Sequence, residues 1–420
     1  MKRVFQFFLK VITKGIIKKY DPFIIGITGS VGKTTTKEAI YTSLSGLKKI
    51  RKSSGNLNTE IGAPLVFLGE EKKGDNALEW ILILLKGVLL LLKREKNYPE
   101  IIVAELAADK PGDMKYLADI IKPDIGIITS IGEVPVHVEF YKNAHEVARE
   151  KEELIRALKK GGTAILNTDD EHVSQMEVDS KKITFGFSKN ADVSIKSIST
   201  ESLKGSRIIL SYEGKDFSMF LPSCVGETFA YIAACVFATG IALGINPERL
   251  PEMIEKVRPA KGRLSIIRGK NDSTILDGSY NAAPSSMLYA ISALKELPGK
   301  RKIAVLGDML ELGNYSANEH RKIGKEAAQF CEYVFAVGKW AREIEKACLH
   351  AGMPEEKVFS FTDACEVIPE VEEIISPGDL ILIKGSQGVR TEKVVFAIMR
   401  DPERAEELLV RQTSFWKNKQ

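Results

Sequence analysis

Gly29-Ser30-Val31-Gly32-Lys33-Thr34-Thr35 is the run whose residue types and spacing most directly suggest chemistry. An apolar stretch, Phe23 to Ile27, leads into it, and a helix-like stretch, Lys37 to Leu44, follows. Strand, glycine turn, helix is the order a phosphate cradle requires. Glycines let backbone N–H groups approach phosphate oxygens, and the helix N-terminus adds the positive end of its dipole. In such a loop Lys33 reaches the β- and γ-phosphates and the Thr34 hydroxyl holds Mg²⁺. A plain glycine turn would explain Gly29 and Gly32 but not Lys-Thr-Thr at the helix start. The usual loop has another glycine where Ile27 stands, so the form here is Gly-x-x-Gly-Lys-Thr-Thr. A nucleotide and Mg²⁺ are the expected ligands.

Other candidates stand at the ends of apolar runs. Ile101-Ile102-Val103-Ala104-Glu105 closes on a carboxylate. Parallel sheets bind ligands beyond the carboxyl ends of their strands, which puts Glu105 where a Mg²⁺ ligand belongs. A second such run, Ile125 to Ser130, precedes His137 and then Lys151, which lies in Arg149-Glu150-Lys151-Glu152-Glu153-Leu154. A single histidine after a strand is more often structural than a ligand, and a lysine in an acidic helix is usually solvated. Spacing alone assigns neither a role. Thr163 to Leu166 ends in Asn167-Thr168-Asp169-Asp170, again polar groups at a carboxyl edge. The loop Asn56 to Leu65, dense in Asn, Gly and Pro, reads either as a connection or as the lining of a substrate cleft through Asn56 and Asn58.

These residues need a frame. With 420 residues, 44% hydrophobic and 28% charged, the chain has room for two or three domains with ordinary soluble cores. A net charge of +4 is too small to argue for nucleic acid. The five cysteines form no metal-ligand spacing and read as buried thiols in a reducing compartment, which points to the cytoplasm. No cleavable leader is evident, and a monomer is expected. Residues 1–20 alternate apolar and basic side chains with helical period. They read either as an arm packed on the domain or as a helix lying on an anionic membrane surface. Residues 76–94 are apolar nearly all round but fall short of the roughly 20 residues a spanning helix needs. A buried or partner-facing helix and an interfacial membrane contact both remain open for that stretch.

From Lys182 to Leu221 short strand-like pieces alternate with turns, and Glu213-Gly214 signals a hairpin. A small antiparallel sheet is expected there, followed by helices at Thr228 to Leu243 and Pro247 to Val257. A new unit begins near Pro259. Five strand–helix alternations follow, with strands near 274, 302, 333, 358 and 380, which predict a parallel, doubly wound sheet. Its strand ends carry Asp277-Gly278-Ser279-Tyr280-Asn281, Gly307-Asp308-Met309 and Lys384-Gly385-Ser386, none of them a dinucleotide fingerprint. The expected fold class is α/β: a P-loop central domain with a parallel sheet and a small antiparallel sheet, then a Rossmann-like C-terminal domain. The expected boundaries are 1–20, 21–260 with a helical insertion near 70–98, and 261–420.

Taken together and in order, these motifs resemble the Mur ligases over roughly residues 23–400. The specific pieces are the loop at 29–35, Asn56 to Pro64, Ala104-Glu105-Leu106, His137-Val138-Glu139 with Lys151, Gly262-Arg263, Asp277 to Asn281, and Gly307-Asp308-Met309 with Glu311-Leu312-Gly313. The resemblance implies ATP-dependent amide ligation through an acyl phosphate, with the central domain binding ATP and the carboxyl substrate and the C-terminal domain bringing the amine. It is most like the branch that adds D-alanyl-D-alanine to a UDP-N-acetylmuramoyl tripeptide in peptidoglycan precursor synthesis. It implies two Mg²⁺ ions held by Thr34, Glu105 and His137, and by Lys151 once carbamylated, because the CO₂ adduct offers carboxylate oxygens that an amine lacks. It places Arg263 on the ATP phosphates and Asp277 on the ribose side. Tyr280 and Asn281 would face the cleft, and Asn56, Asn58, Tyr280, Asn281 and Lys384 are candidate substrate contacts.

Two departures stand out. The family's separate N-terminal UDP-binding domain is expected to be absent, since the first core strand starts after about twenty residues. Where the family has Gly-x-His-Asn-x-x-Asn near the adenine, this chain has Gly226-Glu227-Thr228-Phe229-Ala230-Tyr231-Ile232. The alternatives are the same chemistry on another, lipid-linked, carboxyl substrate, and a nucleotide-binding scaffold that has lost ligation.

Overall fold

The computed structural model describes residues 2–55, 57–70 and 77–417. Nine strands build the first sheet: β1 (Phe23–Thr28), β2 (Ile50–Lys52), β3 (Ile101–Glu105), β4 (Ile125–Ile128), β5 (Thr163–Asn167), β6 (Lys181–Gly186), β7 (Val193–Thr200), β8 (Gly205–Tyr212) and β9 (Lys215–Pro222). Their order is β2-β3-β1-β4-β5-β6-β7-β8-β9. Strands β1 to β7 pair in parallel, and β7-β8-β9 run antiparallel. The antiparallel strands therefore continue the parallel sheet instead of forming a separate one. The β8–β9 turn places Glu213 and Gly214 at positive φ, 49° and 76°, as a two-residue hairpin requires.

Burial on both faces explains the unbroken apolar runs of the central strands. Alternate residues serve opposite faces. Ile25, Ile27, Val103 and Ile127 pack with α2 (Lys33–Leu44) and the later helices at Glu227–Ala242 and Leu250–Ile254. Ile24, Ile102 and Ala104 pack on the other side with α1 (Lys2–Tyr20), α3 (Gly62–Leu68), α4 (Ala77–Leu92) and α5 (Asp113–Ile121). Helix α6 (Ala144–Arg156) covers Ile128, Ala164 and Leu166. Residues 2–20 thus form the helix their periodicity predicts, with Leu9, Ile12 and Ile16 packed on the domain. Part of the expected insertion, residues 71–76, lies outside the described residues. Among the described residues no helix is long and apolar enough to cross a membrane.

The second sheet contains β10 (Ser265–Arg268), β11 (Thr274–Gly278), β12 (Lys302–Gly307), β13 (Tyr333–Val337), β14 (Val358–Phe361) and β15 (Leu380–Lys384), in the order β10-β11-β15-β12-β13-β14. All five strands expected from the sequence are present and parallel. The sequence pattern did not signal β10, which pairs antiparallel with β11 at the edge. Helices at Pro284–Glu296, Ser316–Ala328 and Ala341–His350 cover one face, and those at Val367–Ile374 and Glu392–Ile398 the other. The sheet is doubly wound. The cysteines are free thiols; four are buried, but Cys365 is exposed, against expectation.

Candidate active site

The loop between β1 and α2 has the backbone a phosphate cradle needs. Gly29 sits at φ 146° and Gly32 at φ 87°. A Cβ at Gly29 would fall 2.1 Å from Thr129 Oγ1, so no side chain fits there. Ser30 N–H donates to Ser130 O at 2.6 Å, which ties the loop to the end of β4. Val31 carries the loop into Gly32, and Thr35 is buried in the first turn of α2. No side chain caps the start of α2, and Ser30 Oγ is buried without a hydrogen-bond partner. Open amide donors at a helix N-terminus beside an unsatisfied hydroxyl fit a polyphosphate. The Lys33 ammonium meanwhile donates to Gly29 O at 2.7 Å and Ser30 O at 3.3 Å. Burial pushes its pKa down, Glu105 opposes that, and the Arg263 charge adds to it.

Glu105, at the carboxyl end of β3, gathers groups from several elements. Its Oε1 accepts from Thr34 Oγ1 and from Asn58 Nδ2, each at 3.1 Å. Its Oε2 lies 3.3 Å from Lys37 Nζ, an ammonium with no exposed surface that also donates to Gly55 O at 3.2 Å. The sequence reading missed Lys37. It follows Lys33 by one helical turn, a spacing that puts both lysines on neighbouring parts of α2. Asn56 lies outside the described residues.

Lys151 is buried on α6, and burial with the nearby Lys33 charge pushes its pKa down to about 7, against the pull of Asp109 and Glu150. A signal for this was available. Val147, Ala148, Leu154 and Ile155 are the buried positions of α6, and Lys151 lies on that same helical stripe. His137, at φ 69°, sits between carboxylates from the two halves of the chain. Its Nε2 is 3.3 Å from Asp109 Oδ1 and its Nδ1 2.7 Å from Glu311 Oε2. The hydrogen bond to His137 holds the Glu311 carboxyl below its usual range. Asp109, also missed, is the link here: it touches His137, and its charge acts on both Lys33 and Lys151.

The second half reaches this group through Arg263. Its guanidinium lies over the Tyr280 ring, 3.9 Å from the centroid, and Nη2 donates to Thr34 Oγ1 at 3.4 Å. Asp277, Asn281 and Lys384 form a neighbouring cluster that, among the described residues, makes no hydrogen bond to Glu105 or Thr34. Lys384 Nζ donates to Asn281 O at 2.7 Å and Gly278 O at 3.5 Å, and Asn281 Oδ1 accepts from Gln387 N at 3.4 Å. Burial, helped by the Arg263 charge, pushes Lys384 down to about 7 while Asp277 opposes it. Asp277 is fully buried: Oδ1 accepts from Ser279 N at 2.9 Å and Oδ2 has no partner, and burial raises its pKa.

A cleft of about 220 Å³ opens beyond the ends of β4 and β5, lined by Ser130, Asn167, Asp169 and Tyr231 and, from the second half, Ser285 and Tyr289. Tyr231 donates to Asp169 Oδ2 at 3.0 Å. It belongs to the segment that lacks the expected asparagines, and its neighbour across the cleft is another tyrosine. For a metal, the described residues contain no cluster of three or more His, Cys, Asp or Glu able to hold one. The Thr34 hydroxyl and Glu105 carboxylate nonetheless suit Mg²⁺, which binds through one or two protein oxygens and takes its other ligands from phosphate and water.

Comparison with known proteins covers both halves of the chain. Residues 84–240 match the Mur ligase middle domain and residues 262–387 the Mur ligase glutamate ligase domain. The chain is 31% identical over 395 residues to the UDP-N-acetylmuramoyl-tripeptide--D-alanyl-D-alanine ligase of Synechocystis, covering 93% of this chain and 77% of that one. Its identity to the Bacillus subtilis enzyme of the same name is 29% over 396 residues, covering 94% and 79%. The crystal structure of MurF ligase from Thermotoga maritima in complex with ADP superposes with a TM-score of 0.78 at 25% identity, covering 94% and 84%. Matches to two domains of one family, with a relative 31% identical over 93% of the chain, leave one assignment: the chain belongs to the Mur ligase family.

Proposed function

We propose that this protein is an ATP-dependent ligase that joins D-alanyl-D-alanine to a UDP-N-acetylmuramoyl tripeptide, the activity named for its Synechocystis and Bacillus relatives. The observation that carries the reading is Thr34 Oγ1, which touches Glu105 from one half of the chain and Arg263 from the other. Such a junction lets closure of the halves complete a phosphoryl-transfer site. In this reading residues 21–260 hold ATP and the carboxyl substrate, and residues 261–420 bring the amine. A substrate carboxylate attacks the γ-phosphate to give an acyl phosphate and ADP. The amine then attacks the acyl carbon and phosphate leaves.

The chain's own residues mainly position and neutralise. The loop amides and Lys33 hold the β- and γ-phosphates, and Arg263 approaches the same oxygens from the far side. Thr34, Glu105, His137 and a carbamylated Lys151 would hold two Mg²⁺ ions, which supply charge neutralisation on the transferring group. Lys151 suits a CO₂ adduct because its lowered pKa leaves much of the amine unprotonated. Asn58, Tyr280, Asn281 and Lys384 are the proposed substrate contacts and Asp277 the ribose-side group. The cleft between Tyr231 and Tyr289 offers room for the nucleoside. The reading includes a cytoplasmic monomer and a peripheral membrane contact through residues 1–20 and 76–94.

The test is direct. Purified protein with ATP, Mg²⁺, the UDP-tripeptide and D-alanyl-D-alanine is expected to release phosphate only when both substrates are present. Release that ignores the amine, or none across a range of pH and Mg²⁺, would count against ligation.

A further inference from the structure

Helices α1 and α4 run side by side in the same direction. Phe5 and Trp80 meet near their N-terminal ends with ring centroids 4.7 Å apart. Further along, a Cβ on Gly87 would lie 2.6 Å from Ile12, and one on Gly15 would lie 2.9 Å from Leu91, so the pair is closely packed. At the far end Lys19 Nζ donates to the carbonyls of Leu90, Leu91 and Lys93 at 2.8–2.9 Å. These contacts fix α4 by one face only.

The other face of α4 is apolar and open. Leu78, Leu82, Leu85, Leu89 and Leu92 recur at helical spacing, each between 53% and 77% exposed. The helix's two charged residues, Glu79 and Lys86, are off this stripe, and Lys86 is paired with Glu70 at 2.6 Å. Beside it α1 exposes Phe7, Phe8 and Val11. A continuous apolar stripe of this extent marks a contact with something other than water. Charge indicates the partner. The exposed stripe of α1 continues into Lys14 and Lys18, and α4 is followed by exposed Lys93, Arg94 and Lys96, with Glu95 the one carboxylate among them. Both sets of cations lie at the same end of the parallel pair. Apolar side chains bordered by lysine and arginine match the boundary between acyl chains and anionic headgroups. A second copy of the chain is the poorer partner, because α1 carries no carboxylate and α4 only Glu79 to meet the cations of a copy.

We propose that α4, flanked by α1, docks on an anionic phospholipid bilayer, with the leucine stripe in the acyl boundary and the cations on the headgroups. At about 1.5 Å per residue, its 16 residues reach roughly 24 Å, so it would lie in the surface and not cross it. This deepens the membrane contact proposed above and rests on it, not on ligase turnover.

Flotation of the intact chain with vesicles of phosphatidylcholine plus about one-third phosphatidylglycerol tests it, with pure phosphatidylcholine as the control. The intact chain is expected to float with the anionic vesicles and at least fivefold less with the neutral ones. The variant Leu82→Ser/Leu85→Ser/Leu89→Ser is expected to lose binding at least tenfold, and Lys14→Glu/Lys18→Glu about tenfold. Both variants change exposed side chains, and unaltered thermal unfolding confirms that they fold. No binding to anionic vesicles, or equal binding by the leucine variant, overturns the proposal. So does concentration-dependent dimerisation that the leucine variant abolishes without any vesicle binding. Phosphate release measured without vesicles reports on ligation separately, so either reading can fail while the other stands.

Discussion

Replacing Lys151 by methionine keeps the length of the side chain and removes its titration. In the folded chain the Lys151 pKa is pushed down to about 7 from 10.5, with burial the largest cause and the Lys33 charge next. Below about 7 the group is protonated in both the folded and unfolded chain, and its burial penalty is present in full. Between about 7 and 10.5 the folded chain has released the proton while the unfolded chain still binds it. Stability therefore rises with pH across that window. From pH 6 to pH 9 this single group should add about 3 kcal/mol to the wild type, and the methionine variant should lack that increment. The assay is urea unfolding of both proteins across this range, in buffer free of bicarbonate and divalent ions. The quantity read is the difference between the two at each pH, which cancels groups they share, including Lys384. A difference that does not change with pH would refute the argument. It would mean that Lys151 keeps its proton on folding, and a protonated amine cannot take up CO₂.

Other outcomes follow from the same contacts. With ¹³C-bicarbonate near pH 8, the wild type should show a carbamate carbonyl resonance that Lys151→Met lacks. That variant should retain less than about a hundredth of the turnover, a loss of roughly 3 kcal/mol in transition-state stabilisation. Thr34→Val preserves shape but removes the hydroxyl that Glu105 and Arg263 share; the Mg²⁺ needed for half-maximal turnover should rise about tenfold, roughly 1.4 kcal/mol, as a Mg²⁺ titration would read. Gly29→Ala would drive a methyl group to 2.1 Å from Thr129 Oγ1, and ATP binding by calorimetry should disappear. Lys37→Met leaves the Glu105 carboxylate without the cation 3.3 Å away, and should cost about 3–5 kcal/mol in urea unfolding.

What the sequence shows of this site divides by range. The phosphate loop and Glu105 are legible because their signals are local: a glycine turn between strand and helix, and a carboxylate ending an apolar strand. Lys37 and Asp109 are not, because each acts through partners that only the fold brings near, Glu105 for one and His137 for the other. Lys151 lies between these cases. Its acidic neighbours suggest solvent, yet the apolar positions around it already place it on the buried face of α6. Among the strands, β10 escapes notice because it is an edge strand outside the strand–helix alternation, defined by its antiparallel pairing with β11. The joining of the antiparallel strands to the main sheet is equally hidden, since β6 and β7 share only Phe185–Val193 and Gly186–Ser194 in register.

The charges around the loop explain why such a site would call for both a polyanion and a modified lysine. Lys33, Lys37, Lys151 and Arg263 gather there, with Lys384 in the neighbouring cluster, and Glu38, Glu105, Asp109, Glu150 and Asp277 are carboxylates that act on them. The cations depress one another: Arg263 lowers Lys33 and Lys384, and Lys33 lowers Lys151. Enclosed like charge of this kind is costly, and it is relieved in two ways. Phosphates entering between Lys33 and Arg263 would supply negative charge to two cations that burial pushes down. Lys151, held down to about 7, gives up its proton near neutral pH, and a carbamate there would turn a cation into an anion. Divalent ions would then find a place that the bare cluster of lysines would deny them. On this account Lys151 would hold an ion only after losing its positive charge, while the oxygens of Thr34 and Glu105 would hold theirs with nucleotide alone, so a metal titration of Lys151→Arg with nucleotide present should show fewer ions bound than the wild type.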